Sequence, residues 1–191
     1  MKIIAITLPM AIDEDLYLMS TLLDNGIDTL HLRKPLADID YCRMLLRQLA
    51  PHHRAKIVVH DYPDLYNEFA LKGIHINKNV VALPEGYNGL KTRSCHSIDE
   101  VVKFKGQYDY LFLSPIFNSI SKPDYQSAFT HSELSQASLN GIIDAKVIAL
   151  GGVTFDRIPY LKELNFGGVA MMGGLYHVNA IHSIGEIDKY R

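Results

Sequence analysis

The chain has 191 residues, a formal net charge of −2 and two cysteines. The small charge excludes the broad basic surface that nucleic acids or anionic membranes attract, and two cysteines are too few for a disulfide framework. No basic-then-apolar leader opens the sequence and no apolar run is long enough to cross a bilayer, so we expect one cytoplasmic domain over residues 1–191.

Short apolar strands alternate with amphipathic helices along the whole chain. In the first predicted helix, Leu16, Met19, Leu22 and Leu23 form one apolar stripe, and Gly26 ends it. The predicted strands are Lys2–Leu8, Asp28–Arg33, Ala55–His60, Ile74–Ile76, Lys91–His96, Tyr110–Leu113, Lys146–Leu150 and Gly168–Met171. The predicted helices are Asp13–Asn25, Ile39–Leu49, Asp64–Leu71, Ile98–Phe104, Ser132–Leu139 and Phe155–Leu164.

This alternation predicts a parallel sheet, and the eight strands predict that it closes into a single compact (β/α)8 TIM barrel. Residues 77–89 carry no helical pattern, so the fourth helix is predicted to be weak or missing. The strands are apolar on both faces, as a sheet covered by helices requires. A doubly wound open sheet is the alternative, but it does not account for eight strands that end in polar residues.

The last two predicted strands run into glycines, at Gly151-Gly152 and, after Met172, at Gly173-Gly174. A strand that ends in glycine exposes backbone N–H groups to which an anion can come close. In barrels the loops after strands seven and eight frequently bind phosphate. We therefore predict that these two glycine loops together form a phosphate-binding site, the glycine cup. The alternative is that the glycines only permit tight packing of strand against helix.

Histidines mark the carboxyl ends of predicted strands two to five. The four are His31, His60, His75 and His96. Side-chain alternation places Arg33, Asn77 and Ser94 on the same faces as the histidines of their strands, toward the barrel mouth, and turns Cys95 away. Imidazoles that converge on one rim can move protons and bind anions, although each could instead be a hydrogen-bonded core or rim histidine. The spacing lacks HxH and HxxxH patterns, which disfavours zinc.

The loop after the sixth strand carries two hydroxyls and a lysine within four positions, at Ser119, Ser121 and Lys122. Hydroxyl donors and an ammonium group suit phosphate or pyrophosphate oxygens. The alternative is an ordinary polar loop. Together with the glycine cup, this loop predicts a second anion-binding element on the same rim.

These motifs resemble the family of thiamin-phosphate synthases and thiazole tautomerases over nearly the whole chain. The segment from Ser114 to Lys122 resembles the Gly-Pro-Ile-(Phe/Tyr)…Thr-x-Thr-Lys of the synthases, and Ala149–Val153 is similar to their Ala-Ile-Gly-Gly-Ile. Arg93–Ser97 resembles the Arg-Ser-Val-His-Ser of the tautomerase branch. The resemblance also implies a homodimer.

The family synthase joins a hydroxymethylpyrimidine diphosphate to a thiazole phosphate and releases pyrophosphate with the help of magnesium. The resemblance implies that Asp61 would hold Mg²⁺. It implies a pyrophosphate site made by Arg33, Ser119, Ser121 and Lys122, and a thiazole phosphate site made by the backbone amides of Gly151, Gly152, Met172 and Gly173.

The departures from the synthase pattern favour the tautomerase branch. The second basic residue of Gln-x-Arg-x-Lys is displaced to Lys34 or lost, and His-Leu-Gly-Gln-Glu-Asp becomes His75–Val80, without the second acidic magnesium partner. A tautomerase needs only a binding site for one phosphate and a general acid/base residue such as histidine, with no cofactor.

We therefore predict tautomerase-like proton transfer that aromatises a thiazole phosphate, a small molecule. His96 beside Ser94 is the first candidate for the acid/base, and His31 or His60 would assist. Two alternatives stay open. One is a divergent Mg²⁺-dependent thiamin-phosphate synthase, and the other is a barrel that binds a phosphate ligand without catalysis.

Overall fold

Eight parallel strands form one closed barrel, in which each strand pairs with the next and the last pairs with the first. The computed structural model describes residues 1–78, 80, 82–118, 127–175 and 187–190. The strands are β1 (Lys2–Ile6), β2 (Thr29–Leu32), β3 (Ile57–Val59), β4 (Gly73–His75), β5 (Leu90–Cys95), β6 (Tyr110–Leu113), β7 (Val147–Leu150) and β8 (Gly168–Met171). The predicted TIM barrel is confirmed.

Helices connect most of the strands. They are α1 (Asp15–Asp24), α2 (Ile39–Gln48), α3 (Pro51–Arg54), α4 (Leu65–Phe69), α5 (Ile98–Phe104), α6 (His131–Leu139) and α7 (Ile158–Glu163). Between β4 and β5 the described residues form no helix, as predicted. The short α3 was not predicted, and it begins with Pro51 at a position where the missing N–H costs nothing. No helix of the described residues combines the length and the apolar character that a bilayer span needs.

Side-chain alternation divides the apolar residues into two clusters. The larger one lies between strands and helices, where Leu30 and Leu32 of β2 are buried in the same cluster as Met19 and Leu22 of α1. Cys95 belongs to this outer cluster, which confirms that it turns away from the mouth. A small inner cluster is formed by Ile4, Ile6, Tyr110, Phe112, Ile148 and Ala170. The same interior also holds buried polar side chains, among them His31 and His75, whose rings lie beside Phe112.

Candidate active site

The described residues form a cavity of about 840 Å³ at the carboxyl ends of the strands, where barrel enzymes place their chemistry. Nine of the predicted site residues line it: Arg33, His60, Asp61, Ser94, His96, Gly151, Gly152, Met172 and Gly173. His75, Lys78 and Arg93 line it as well. His31 is fully buried and is not part of this wall. Ser119, Ser121 and Lys122 lie outside the described residues.

The two glycine loops differ in what their glycines do. Gly151 and Gly152 have φ angles of +93° and +63°, and a Cβ added to Gly152 would lie 2.3 Å from the carbonyl oxygen of Asn118. Gly151 O also accepts a hydrogen bond from Phe117 N at 3.0 Å. These two glycines therefore allow the loop after β6 to pack tightly on the end of β7. This is close to the alternative in which the glycines serve packing, except that a loop and not a helix packs against the strand.

Gly173, in contrast, has open space beside it. No heavy atom of the described residues lies within 4 Å of a Cβ added there. Gly173 begins a single 3-10 turn, Gly173–Leu175, directly after β8. Since Met172 and Gly173 both line the cavity, this loop leaves room for an anion close to the backbone.

His96 lies at the solvent-exposed rim of the cavity with a defined tautomer. Its Nδ1 is 2.9 Å from the carbonyl oxygen of Ser114, and a carbonyl can only accept. In the neutral ring Nδ1 therefore carries the proton, and Nε2 is the basic nitrogen. The backbone N–H of His96 donates to Glu100 Oε2 at 2.6 Å, and Ser97 caps the same helix, α5.

The other three histidines lie inside the barrel, below that rim. His31 is completely buried, and His60 and His75 are 5% and 3% exposed. The rings of His60 and His75 stack with their centroids 4.1 Å apart. His75 Nδ1 lies 2.8 Å from Thr92 Oγ1, and its Nε2 lies 3.2 Å from Ser94 Oγ. The expectation that four imidazoles share one solvent-open rim is thus wrong for His31, whereas His60 and His75 line the same cavity as His96 from nearly buried positions. Alternation gives the facing of a side chain but not its depth in the barrel.

Burial keeps these three imidazoles neutral. Loss of hydration lowers the pKa of His31 and of His60 well below the usual value for histidine. It also lowers the pKa of His75 to about 3, with the charges of Arg33 and Arg93 as further causes. They therefore act as hydrogen-bonding groups at neutral pH, and the cations at the cavity are supplied by side chains such as Arg33.

Lys34, the displaced basic residue of the sequence motif, does not reach the cavity. Its Nζ lies 2.5 Å from Asp15 Oδ2 and 2.7 Å from the carbonyl oxygen of Met10, and both charged side chains are buried. Asp15 also accepts a hydrogen bond from Tyr41 Oη at 2.8 Å. Lys34, the second cation of the motif, therefore stabilises the fold instead of binding substrate in the cavity.

Two cavity cations were not assigned from the sequence. Lys78 lies in the loop after β4, in a segment where the acidic pattern is lost. Arg93 has an outward position on β5, like Cys95, and its guanidinium lies 4.2 Å from the ring centre of Phe104, which packs against the outer cluster. The residue also borders the cavity.

The described donors fit Mg²⁺ poorly, because this ion prefers carboxylates and water. The cavity wall contains two carboxylates, Asp61 and Glu100, and Glu100 accepts from the amide of His96. Val80, at the place of the second acidic residue, packs against the outer apolar core. One ring nitrogen from each of His31, His60 and His75 lies within 4.8 Å of the others. Both nitrogens of His31 are already hydrogen-bonded, to His60 Nε2 and to Tyr110 Oη.

Comparisons with known proteins agree with the motif resemblance. Residues 3–175 match a family model described as thiamine monophosphate synthase. The solved thiamine phosphate pyrophosphorylase from Bacteroides thetaiotaomicron is 34% identical, with a TM-score of 0.89, and the match covers 100% of this chain and 97% of that one. The corresponding structure from Pyrococcus furiosus is 16% identical with a TM-score of 0.76 over 99% and 94% of the two chains, and shows the fold alone.

Curated relatives carry the same name at lower identity. The thiamine-phosphate synthase of Clostridioides difficile is 25% identical over 88% of this chain and 82% of that protein. The thiamine-phosphate synthase of Helicobacter pylori is 28% identical over 69% of this chain and 62% of that protein, less than two thirds of its length.

Proposed function

We propose a proton-transfer reaction for this chain, which belongs to the thiamine monophosphate synthase family. Members of this family serve thiamin biosynthesis, and the proposal concerns the substrate and the step. The substrate is a non-aromatic thiazole that carries one phosphate, and the reaction is its tautomerisation to the aromatic ring. The observation that supports this most directly is the hydrogen bond from His96 Nδ1 to the Ser114 carbonyl, since it leaves a basic Nε2 in the cavity wall.

In this reaction His96 Nε2 takes the proton from the ring carbon and the electron pair of that C–H bond enters the ring. The imidazolium then returns the proton to the conjugated carbon outside the ring, so that the ring becomes aromatic and the ring nitrogen keeps its lone pair. No proton is gained or lost overall, so neither a redox cofactor nor a metal is required. His60 also lines the cavity and assists by a hydrogen bond from the nitrogen that does not contact His31.

The phosphate is held by the loop after β8 and by charge. Gly173 has open space for it, and Met172 lies next to it in the wall. Arg33 adds a guanidinium that matches phosphate oxygens. A monophosphate-binding site of this kind positions the thiazole so that the ring carbon that loses its proton faces His96 at the rim.

Ionisation of a diphosphate is less well supported by the described residues. Lys34 is buried with Asp15, which removes one cation from the motif. Val80 supplies no ligand where the synthase motif has a carboxylate. Pyrophosphate departure develops several negative charges that cations must neutralise.

A divergent thiamin-phosphate synthase is the second candidate, and the names of the relatives favour it. Arg33 and Asp61 both line the cavity, as the resemblance implies for that reaction. In this case Asp61 would hold Mg²⁺, which would supply charge neutralisation of the diphosphate. A barrel that only binds a phosphate ligand is the remaining alternative.

One experiment with two arms separates these functions. The purified chain is incubated with the non-aromatic thiazole carboxylate phosphate, and separately with hydroxymethylpyrimidine diphosphate, thiazole phosphate and Mg²⁺. We expect aromatisation well above the protein-free rate in the first arm and no thiamin phosphate in the second. Thiamin phosphate without aromatisation would establish the synthase instead, and tight binding measured by calorimetry without either product would leave a binding protein.

A further inference from the structure

A hydrogen-bonded row of three side chains crosses the barrel interior below the cavity. Tyr110 Oη of β6 lies 2.5 Å from His31 Nε2 of β2, and His31 Nδ1 lies 2.8 Å from His60 Nε2 at the end of β3. His60 lines the cavity, whereas His31 does not. The row therefore begins in the barrel core and ends at the wall of the active site.

The surroundings of Tyr110 determine which atom is the donor and which the acceptor in each hydrogen bond of this row. Tyr110 is 3% exposed and packs in the inner apolar cluster with Ile4, Phe112 and Ile148. Burial raises the pKa of its phenol, so the O–H keeps its proton. Within the described residues, the hydrogen-bond partner of the hydroxyl is His31 Nε2. A buried O–H without an acceptor is costly, whereas an unused oxygen lone pair is cheap.

The tautomers of both histidines follow from that donation. If Tyr110 donates to His31 Nε2, the proton of neutral His31 is on Nδ1, and Nδ1 donates to His60 Nε2. The proton of neutral His60 is then on Nδ1, the nitrogen that does not contact His31. The opposite order would need the same two hydrogen bonds but would leave the Tyr110 O–H without an acceptor.

We propose that Tyr110 is a positioning residue that fixes His60, through His31, as the tautomer that presents an N–H to the cavity. Its catalytic consequence rests on the proposed function, in which His96 is the base and His60 is a hydrogen-bond donor to the ring nitrogen. The two imidazoles then have opposite roles: the Ser114 carbonyl makes His96 Nε2 an acceptor, and the Tyr110 hydroxyl makes His60 Nδ1 a donor.

Nitrogen-15 NMR of histidine-labelled protein at neutral pH tests the tautomers without any substrate. We expect the spectra to show His31 and His60 protonated on Nδ1 and unprotonated on Nε2, with assignments from His31→Gln and His60→Gln variants. Tyr110→Phe keeps the shape and removes only the donor, and it should turn the single His60 tautomer into a mixture. A wild-type His60 protonated on Nε2, or His60 signals unchanged by Tyr110→Phe, would overturn the proposal.

Kinetics connect the tautomer to the reaction. Tyr110→Phe should lower kcat for aromatisation about five- to tenfold, the loss expected for one neutral hydrogen bond, and leave KM nearly unchanged. Tyr66→Phe is the matched control, because it removes the hydroxyl that donates to Asn88 Oδ1 away from the cavity, and its kcat should stay at the wild-type value. If aromatisation is absent from the wild type, the NMR result still stands or falls by itself.

Discussion

At the scale of single residues, the pair of Lys34 and Asp15 shows how a charge of the functional motif becomes structural. The two side chains are 0% and 1% exposed, and the ammonium group lies 2.5 Å from the carboxylate. Removing one partner of a buried pair leaves the other charge uncompensated in a low-dielectric surrounding. The pair also ties the loop after β2 to the start of α1.

Asp15→Asn should therefore lower the free energy of unfolding by about 3 kcal/mol, because the Lys34 ammonium loses its counter-charge. Urea unfolding followed by circular dichroism measures this. Asp40→Asn is the control: its carboxylate pairs with Arg43 at 2.6 Å but is 85% exposed, so we expect a loss below about 1 kcal/mol. Equal losses in the two variants would contradict the role of burial.

Gly173 gives a second prediction at this scale. Gly173→Ala should fold normally, since the added methyl meets open space in the described structure, but the methyl would occupy room next to the bound phosphate. We expect KM to rise about tenfold with the free energy of unfolding within about 1 kcal/mol of wild type. Gly106→Ala, also unobstructed but outside the cavity wall, should change neither quantity. An unchanged KM for Gly173→Ala would argue against the phosphate position.

At the scale of elements, the start of α5 links helix capping to the active site. The hydroxyl of Ser97 accepts from the N–H of Glu100 at 3.1 Å, and Glu100 in turn accepts from the N–H of His96 at 2.6 Å. Glu100 therefore binds the N–H of the residue before the cap and holds the backbone of the predicted base. At the start of α6, away from the cavity wall, Thr130 and Glu133 form a capping box, in which Glu133 accepts from the N–H of the cap residue itself.

Ser97→Ala and Thr130→Ala form a matched pair of cap deletions. Each should lower the free energy of unfolding by about 1 kcal/mol, because one backbone N–H at the helix start loses its acceptor. Only Ser97→Ala should also reduce kcat, since the helix start that Ser97 caps carries Glu100, whose carboxylate binds the backbone N–H of His96. Thermal unfolding and steady-state kinetics of the two variants measure this. Similar kcat values in both would show that the cap does not position the base.

The sequence predicted correctly which strand residues face the helices and which face the barrel interior. It did not predict how deep in the barrel an inward-facing residue lies. The alternation of Leu30 and Leu32 with His31 placed the leucines against the helices and the histidine inside, as found. Whether an inward residue lies at the rim or in the core depends on the stagger of the strands, which is a property of the closed barrel. For the same reason the contact of Tyr110 with His31, 79 residues apart in the chain, had no signal in the sequence.

At the scale of the whole molecule, the neutral histidine interior makes stability depend on pH. The pKa of His75 is lowered by burial from 6.5 to about 3, and those of His31 and His60 are lowered in the same direction. Between these values and 6.5, the unfolded chain binds protons that the folded barrel does not. The free energy of unfolding therefore falls as the pH drops below about 6.5.

Each such imidazole should contribute a loss of up to about 1.4 kcal/mol per pH unit below 6.5. Urea unfolding at pH 8.5, 7.5 and 5.5 should show a plateau at the two higher values and a clear decrease at the lowest. His75→Asn should reduce the slope, whereas His52→Asn, on the exposed surface of α3, should not. A free energy of unfolding that stays constant down to pH 5.5 would contradict a neutral histidine core.

In the proposed reaction the imidazole of His96 moves the proton of a thiazole phosphate. The most direct measurement is the rate of aromatisation of the non-aromatic thiazole carboxylate phosphate, with substrate at saturation, by the wild type, by His96→Asn and by the control His52→Asn. We predict that His96→Asn reduces kcat by at least about a hundredfold while His52→Asn keeps it. A His96→Asn protein that turns over at the wild-type rate would show that His96 is not the base.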